Sequence, residues 1–183
     1  MTTLIAIIGI GIFCLLAEIM NLKKIIIPVS IVSLMALFGL NITGQLPEIT
    51  GYESMIEVNK FSVAFSSLFI LLTALLILMS APSYAKSSKL SDFISIKVFM
   101  LSGAVAMVSF SNMAMFFLGI EVLSIGLYVL AGSDRLNIKS NEAGMKYFLM
   151  GSFASGILLF GITMLYGATG TFDVGSLYEA SIS

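Results

Sequence analysis

Met113–Ala131, MAMFFLGIEVLSIGLYVLA, is an apolar run broken by a single charged residue, Glu121. A bilayer core about 30 Å thick takes roughly 17 to 25 mostly apolar helical residues per crossing. This stretch has that length, and its apolar side chains cover every face of a helix instead of one stripe. Working outward, five more windows share the character: Thr3–Met20, Ile25–Ile42, Phe61–Ser80, Phe93–Phe110 and Ala143–Tyr166. Transmembrane strands would alternate apolar and polar residues over about ten positions, and neither Leu68–Met79 nor Val98–Val108 alternates. Helices also satisfy their own backbone groups in lipid. The predicted fold is all-α: a polytopic transmembrane bundle of about six helices, forming a single membrane domain over residues 1–183. Pro28 is expected in the first turn of its helix, and Pro47 and Pro82 in connections.

Composition agrees. Of 183 residues 58% are apolar and 10% charged, whereas a soluble domain carries about a quarter charged residues. A soluble globular protein is excluded. A net charge of −1 offers no basic surface to hold nucleic acid against its counterions, so the lipid bilayer, and not a nucleic acid, is the expected surrounding. Histidine is absent and the one cysteine, Cys14, lies in an apolar run. Haem, iron–sulfur and zinc sites draw on His or clustered Cys, so no metal or cofactor is expected in this chain. A lone cysteine forms no internal disulfide and is silent about redox compartment.

The first, third and fifth connections hold Lys23, Lys24, Lys86, Lys89, Arg135 and Lys139; the second connection and the segment after Tyr166 hold Glu48, Glu53, Glu57, Asp173 and Glu179, with Lys60 the only cation. By the positive-inside rule the basic connections are cytoplasmic, which places the amino terminus on the non-cytoplasmic side. The first window lacks the basic start of a secretory signal and reads as a retained helix. Three motif matches are expected to be coincidental. Gly9 and Gly11 open a dinucleotide fingerprint with Cys14 at the third glycine position; Ser83 and Lys86 have the spacing of a penicillin-binding nucleophile without its companion motifs; Asn41 and Thr43 match a glycosylation acceptor. Phe13 before Cys14 argues against lipid attachment there.

Glu121 is the most informative residue, because at about 1.5 Å per residue it stands some 12 to 15 Å from either end of its window. An acid at the bilayer midplane costs roughly 2.5 to 3.5 kcal/mol or more. Ser124 and Tyr128, three and seven positions on, share its face and form a polar stripe running toward the cytoplasmic end, a possible path for water. Glu121 is either a protonatable station on that stripe or a protonated acid bonded to a neighbouring helix as structural glue. Lys146 lies about 5 Å inside its window, and Glu142, four residues earlier, suits a helix pair with it and the positive end of a helix capped by Asn141 or Ser140. Lys146 therefore reads either as a snorkelling lysine satisfied by Glu142 or as a second transport residue. Lys97 reads as an interface anchor, and Glu18 as facing Lys23 or solvent. With a lateral helix separation of about 8 to 10 Å, Glu121 and Lys146 stand roughly 13 Å apart, too far for an ion pair. If Glu121 works ionised, its counter-charge comes from another polypeptide or from sequence beyond Ser183. Gly151 with Ser155, and Ser152 with Gly156, form small-residue steps for close helix packing, turned away from Lys146.

The segments FFLGIEVLSIGLY (residues 116–128), EAGMKYF (142–148), GSFASG (151–156) and LYGATG (165–170) resemble the subunit N family of proton-pumping NADH:quinone oxidoreductase, respiratory complex I. More broadly they are similar to the antiporter-like subunits that complex I shares with multisubunit cation/proton antiporters. The resemblance is strongest from Phe116 to Gly170. It implies a fold of about fourteen helices in two inverted repeats, of which about six are here, so that the chain is expected to be an amino-terminal portion. It implies that Glu121 is the fifth-helix glutamate that pairs with a lysine on a broken seventh helix, and that Lys146 is a lysine recurrent on the sixth. The seventh-helix lysine and the second repeat are missing from this sequence. The function implied is proton translocation through midplane charged residues in a bacterial inner (plasma) membrane. The chain would be a non-redox subunit without cofactors, with NADH and quinone used by partner subunits among the membrane and peripheral subunits of complex I. The alternatives are a subunit of a multisubunit cation/proton antiporter and a structural membrane scaffold.

Overall fold

The computed structural model describes residues 1–19, 23–45, 47, 51, 54–84 and 90–182. Among the described residues seven helices follow one another: α1 (Thr2–Ile19), α2 (Lys23–Thr43), α3 (Lys60–Tyr84), α4 (Leu90–Val108), α5 (Met113–Ala131), α6 (Ile138–Thr169) and α7 (Val174–Ile182). The described residues contain no strand, only two isolated antiparallel bridges. Five helices are long and apolar enough to cross a membrane; α1 is shorter, its apolar part running Thr2–Ala17. α1 nevertheless runs the height of the bundle. The Thr3 hydroxyl donates to the Asn41 side chain at the far end of α2, and the Cys14 carbonyl accepts from the Ser91 hydroxyl at the start of α4.

α4 is the axis of the bundle, packed against α1, α2, α3 and α5. Its buried positions Leu90, Ser91, Ile94, Ser95, Val98, Leu101, Ser102 and Val105 recur at threes and fours, the period that keeps one side of a helix inward. They meet Ile7, Cys14, Leu34, Ile70 and Ile77 of α1, α2 and α3 in one apolar core. α5 and α6 lie to one side, each with only 6% of its spanning window buried. Their exposed Leu118, Val122, Ile125, Met150, Phe153, Phe160 and Met164 form the kind of apolar surface that belongs against lipid or another chain.

The crossing of α4 and α5 is made at two glycines. A Cβ on Gly119 would stand 2.8 Å from the Met107 nitrogen and 2.9 Å from the Gly103 carbonyl oxygen, and one on Gly103 2.7 Å from the Gly119 carbonyl oxygen. Only glycine lets the two backbones approach so closely.

From α1 to α6 each helix runs antiparallel to its chain neighbour, which gathers the connections at two ends. At the acidic end backbone hydrogen bonds tie the chain together. The Glu57 amide donates to the Ser109 carbonyl, Ser111 to Met55, Met113 to Phe172 and Val174 to Ser111. The start of α5 is thus gripped by the segments on both sides. A buried cluster supports this end, where the Asn41 amide donates to the hydroxyls of Ser66 and Ser67 at 3.0 and 2.8 Å. Asn41 is 6% exposed, so its glycosylation spacing is a coincidence, as expected.

Four expectations are corrected. α6 starts at Ile138, five residues before the expected window, because its first turns are polar and were not counted as part of an apolar run; its N-cap is Asn137, whose side chain accepts from the Lys139 amide. Ser140 and Asn141 instead bind back to the carbonyls of Ala131 and Arg135. α4 ends at Val108, leaving Phe110 to pair with Ile56. Pro82 falls in the last turn of α3 and Pro28 in the second turn of α2, and each lacks the amide that would bond four residues back. α7 was not anticipated. Lys86, Lys89, Glu48 and Glu53, and the side chains of Glu18, Lys23, Lys24 and Ser83, lie outside the described residues.

Candidate functional site

α5 carries the candidate site and is well delimited. The Asn112 side chain caps it by accepting the Ala114 amide, and the chain leaves it at Gly132, whose amide returns to the last turn. The next helix folds straight back. A Cβ on Gly144 would stand 2.7 Å from the Gly132 Cα, so the two backbones touch at the basic end. Further along, Tyr128 lies across α6: its ring sits edge-on to Tyr147 and Phe148 at 5.0 and 5.9 Å. Its hydroxyl occupies the space that a side chain on Gly151 would need. This close approach is the one that the Gly151–Ser155 step anticipates.

These contacts set a register. Gly132 opposite Gly144 and Tyr128 opposite Phe148 place Glu121 level with Ser155 of α6. Glu121 precedes Tyr128 by seven residues, which at about 100° per residue puts the two within about 20° on α5, so the carboxylate too is turned toward the α6 side. Its Oε1 is buried and, among the described residues, has no hydrogen-bond partner. Ser124 is half-buried between Glu121 and Tyr128, and no hydrogen bond links the three. A cleft of about 720 Å³ opens at the basic end and reaches Tyr128, with Asp92, Arg135 and Asn141 at its polar mouth. Of the stripe Glu121–Ser124–Tyr128, Tyr128 lines this opening, and Glu121 and Ser124 lie further along α5.

Lys146 and Glu142 form the expected pair at 2.5 Å, with side chains 70% and 57% exposed. Gly144 and Gly151 face α5, and Lys146 is turned about 200° from Gly144, so the pair stands on the opposite face of α6. Register puts Lys146 level with Leu130, nine positions and about 14 Å along the axis from Glu121. Within this chain the two charges are not brought together.

Two features escaped sequence reasoning. Ser155 was read only as a small packing residue; its i,i+4 step from Gly151 was the available signal. Lys97, read as an interface anchor, also has a partner within the bundle. It is half-buried and its ammonium donates to the Ser80 hydroxyl of α3, a partner that spacing along α4 cannot reveal. Among the described residues no three of His, Cys, Asp and Glu come together as metal ligands. At the acidic end Asp173 accepts the amide and hydroxyl of Ser176, and these bonds hold its carboxyl below the ordinary carboxylate range.

The chain is 63% identical along its whole length to NADH-quinone oxidoreductase subunit N of Flavobacterium johnsoniae, matching 40% of that protein. It belongs to the subunit N family. Subunit N of Cytophaga hutchinsonii is 40% identical over 99% of the chain and 40% of its own length, so this chain spans about two-fifths of these relatives. A chain of respiratory complex I from Thermus thermophilus has the same fold, with a TM-score of 0.76 and 22% identity over 94% of this chain and 38% of its own. The family model described as NADH:quinone oxidoreductase/Mrp antiporter, transmembrane, matches residues 109–182. That region is α5, α6 and α7 with Ser109, Ser111 and Phe172 of the clasp, and it contains Glu121, Tyr128 and Lys146.

Proposed function

We propose that this chain is part of the membrane proton-translocating machinery of a bacterial NADH:quinone oxidoreductase and carries no redox chemistry itself. Electron transfer from NADH to quinone takes place in partner subunits, membrane and peripheral. Glu121 is the protonatable station. The observation that carries this reading is the buried, unpartnered Oε1 at mid-height of a membrane helix. Such a group carries a desolvation cost of several kcal/mol unless something satisfies it, and this chain supplies no partner among its described residues. Water, or a cation from another segment of the assembly, completes the site.

The chemistry follows from that incompleteness. A cation brought near the carboxylate favours the ionised form and releases a proton; its withdrawal raises proton affinity and reloads the site. Ser124 and Tyr128 line the way to the cleft at the basic end, which under the positive-inside rule faces the cytoplasm. The amino terminus then lies on the other side. Lys146, held by Glu142 on the far face of α6, serves the next step of lateral transfer, toward whatever packs against that face. The antiporter reading shares the carboxylate but needs no redox partners, and relatives named as oxidoreductase subunits favour the first. The test is Glu121→Gln in the full-length protein within its assembled complex. Proton pumping should fall to a small fraction while electron transfer through artificial acceptors persists; undiminished pumping refutes the role.

A further inference from the structure

Between α3 and α5, on the side of α4 away from α6, runs an open groove of about 600 Å³. Its walls are Phe69, Leu72 and Leu76 of α3 and Leu123 and Leu127 of α5, with Ala104 of α4 in its floor. One end differs from the rest. There Lys97, half-buried, donates to Ser80 at 2.5 Å. Side chains on a helix lean toward its N-terminus, so Lys97 leans toward the basic end, and Ser80 lies one turn before the end of α3 at Tyr84. We propose that this groove binds one anionic phospholipid of the leaflet at the basic end, its phosphate on Lys97 and Ser80 and one acyl chain along the leucine walls.

The dimensions favour a lipid. From Ser80 to Phe69 the groove extends eleven positions, about 16 Å, and half of a bilayer core is about 15 Å. The polar end thus lies at headgroup depth and the apolar end at the midplane. Leu72 and Leu76 are each 50% exposed, so the groove opens sideways, as entry from the membrane requires. The charge is complementary to a phosphate, and a zwitterionic headgroup profits less from a single cation than an anionic one. This inference rests on the helices spanning a bilayer and not on Glu121, so the two readings fail separately.

Native mass spectrometry of the full-length protein, exchanged in mild detergent against phosphatidylglycerol or phosphatidylcholine of identical chains, tests it. The wild type should retain one phosphatidylglycerol in preference to phosphatidylcholine. Lys97→Leu should lower that preference about fivefold, the effect of one lysine near a charged surface, and Lys97→Arg should keep it. Leu127→Trp, which fills the groove and leaves Lys97 in place, should reduce retention of both lipids and carries the test if Lys97→Leu does not accumulate. Equal retention of the two lipids by the wild type, an unchanged preference in Lys97→Leu, or full retention in Leu127→Trp overturns the proposal.

Discussion

Replacing Gly119 with alanine tests how the helix that bears Glu121 is held. The added Cβ would stand 2.8 Å from the Met107 nitrogen and 2.9 Å from the Gly103 carbonyl oxygen. Both are backbone atoms of α4 and cannot rotate away. Ordinary contact begins near 3.5 Å, so α4 and α5 must separate by about 0.7 Å, and overpacking of this kind costs about 1–3 kcal/mol. Alanine also gains about 0.5–1 kcal/mol over glycine in a helix. The control is Gly156→Ala, where a Cβ meets nothing within 4 Å, so that the propensity gain cancels in the comparison. Unfolding of the full-length protein in mixed detergent micelles, followed by helical circular dichroism, should show Gly119→Ala less stable than Gly156→Ala by about 1–3 kcal/mol. If Gly119→Ala unfolds at or beyond the midpoint of Gly156→Ala, the tight crossing is wrong.

Asn41→Ala removes the amide that joins Ser66, Ser67 and Thr3 and should cost about 1–3 kcal/mol in the same assay, more than Ser67→Ala, which removes one of those bonds. Tyr128→Phe keeps the ring contacts with Tyr147 and Phe148; it should fold as the wild type and slow proton uptake from the basic end. Tyr128→Ala should in addition destabilise the α5–α6 pair by about 1–3 kcal/mol. The Asp173 carboxyl is lowered from 3.8 by its bonds to Ser176. Its contribution to holding α7 is therefore fully present above that value and is lost as pH falls through the lower folded value. Protection of the Ser176 amide, its exchange rate relative to an unstructured amide at the same pH, should hold down to about pH 4 and fall below it, and Asp173→Asn should remove that dependence.

How far the sequence could be read depended on which signal each element leaves. α5 was legible to its last residue because an apolar run with one charge, Glu121, lies between Asn112 and Gly132, a cap and a breaker. α6 was legible only where it is apolar; its first turns, Ile138 to Glu142, look like a loop until Asn137 is recognised as the cap. α7 is too short and too mixed to announce itself. The clasp of Met55, Glu57, Ser109, Ser111 and Phe172 is made by backbone groups, which side-chain chemistry cannot report. In the candidate site, the shared face of Glu121, Ser124 and Tyr128 and the Glu142–Lys146 pair follow from helical spacing. The alignment of Glu121 with Ser155 and the bond between Lys97 and Ser80 depend on how helices dock, and spacing within one helix is silent on that.

The most direct test of the account is infrared spectroscopy of the full-length protein in its assembled complex, comparing the protonated-carboxyl stretch of the wild type with that of Glu121→Gln across pH and during turnover. The account predicts a band, missing from the variant, that grows and fades as Glu121 gains and loses its proton. A band assigned to Glu121 that stays constant under every condition, or no band from it at any pH, contradicts the account.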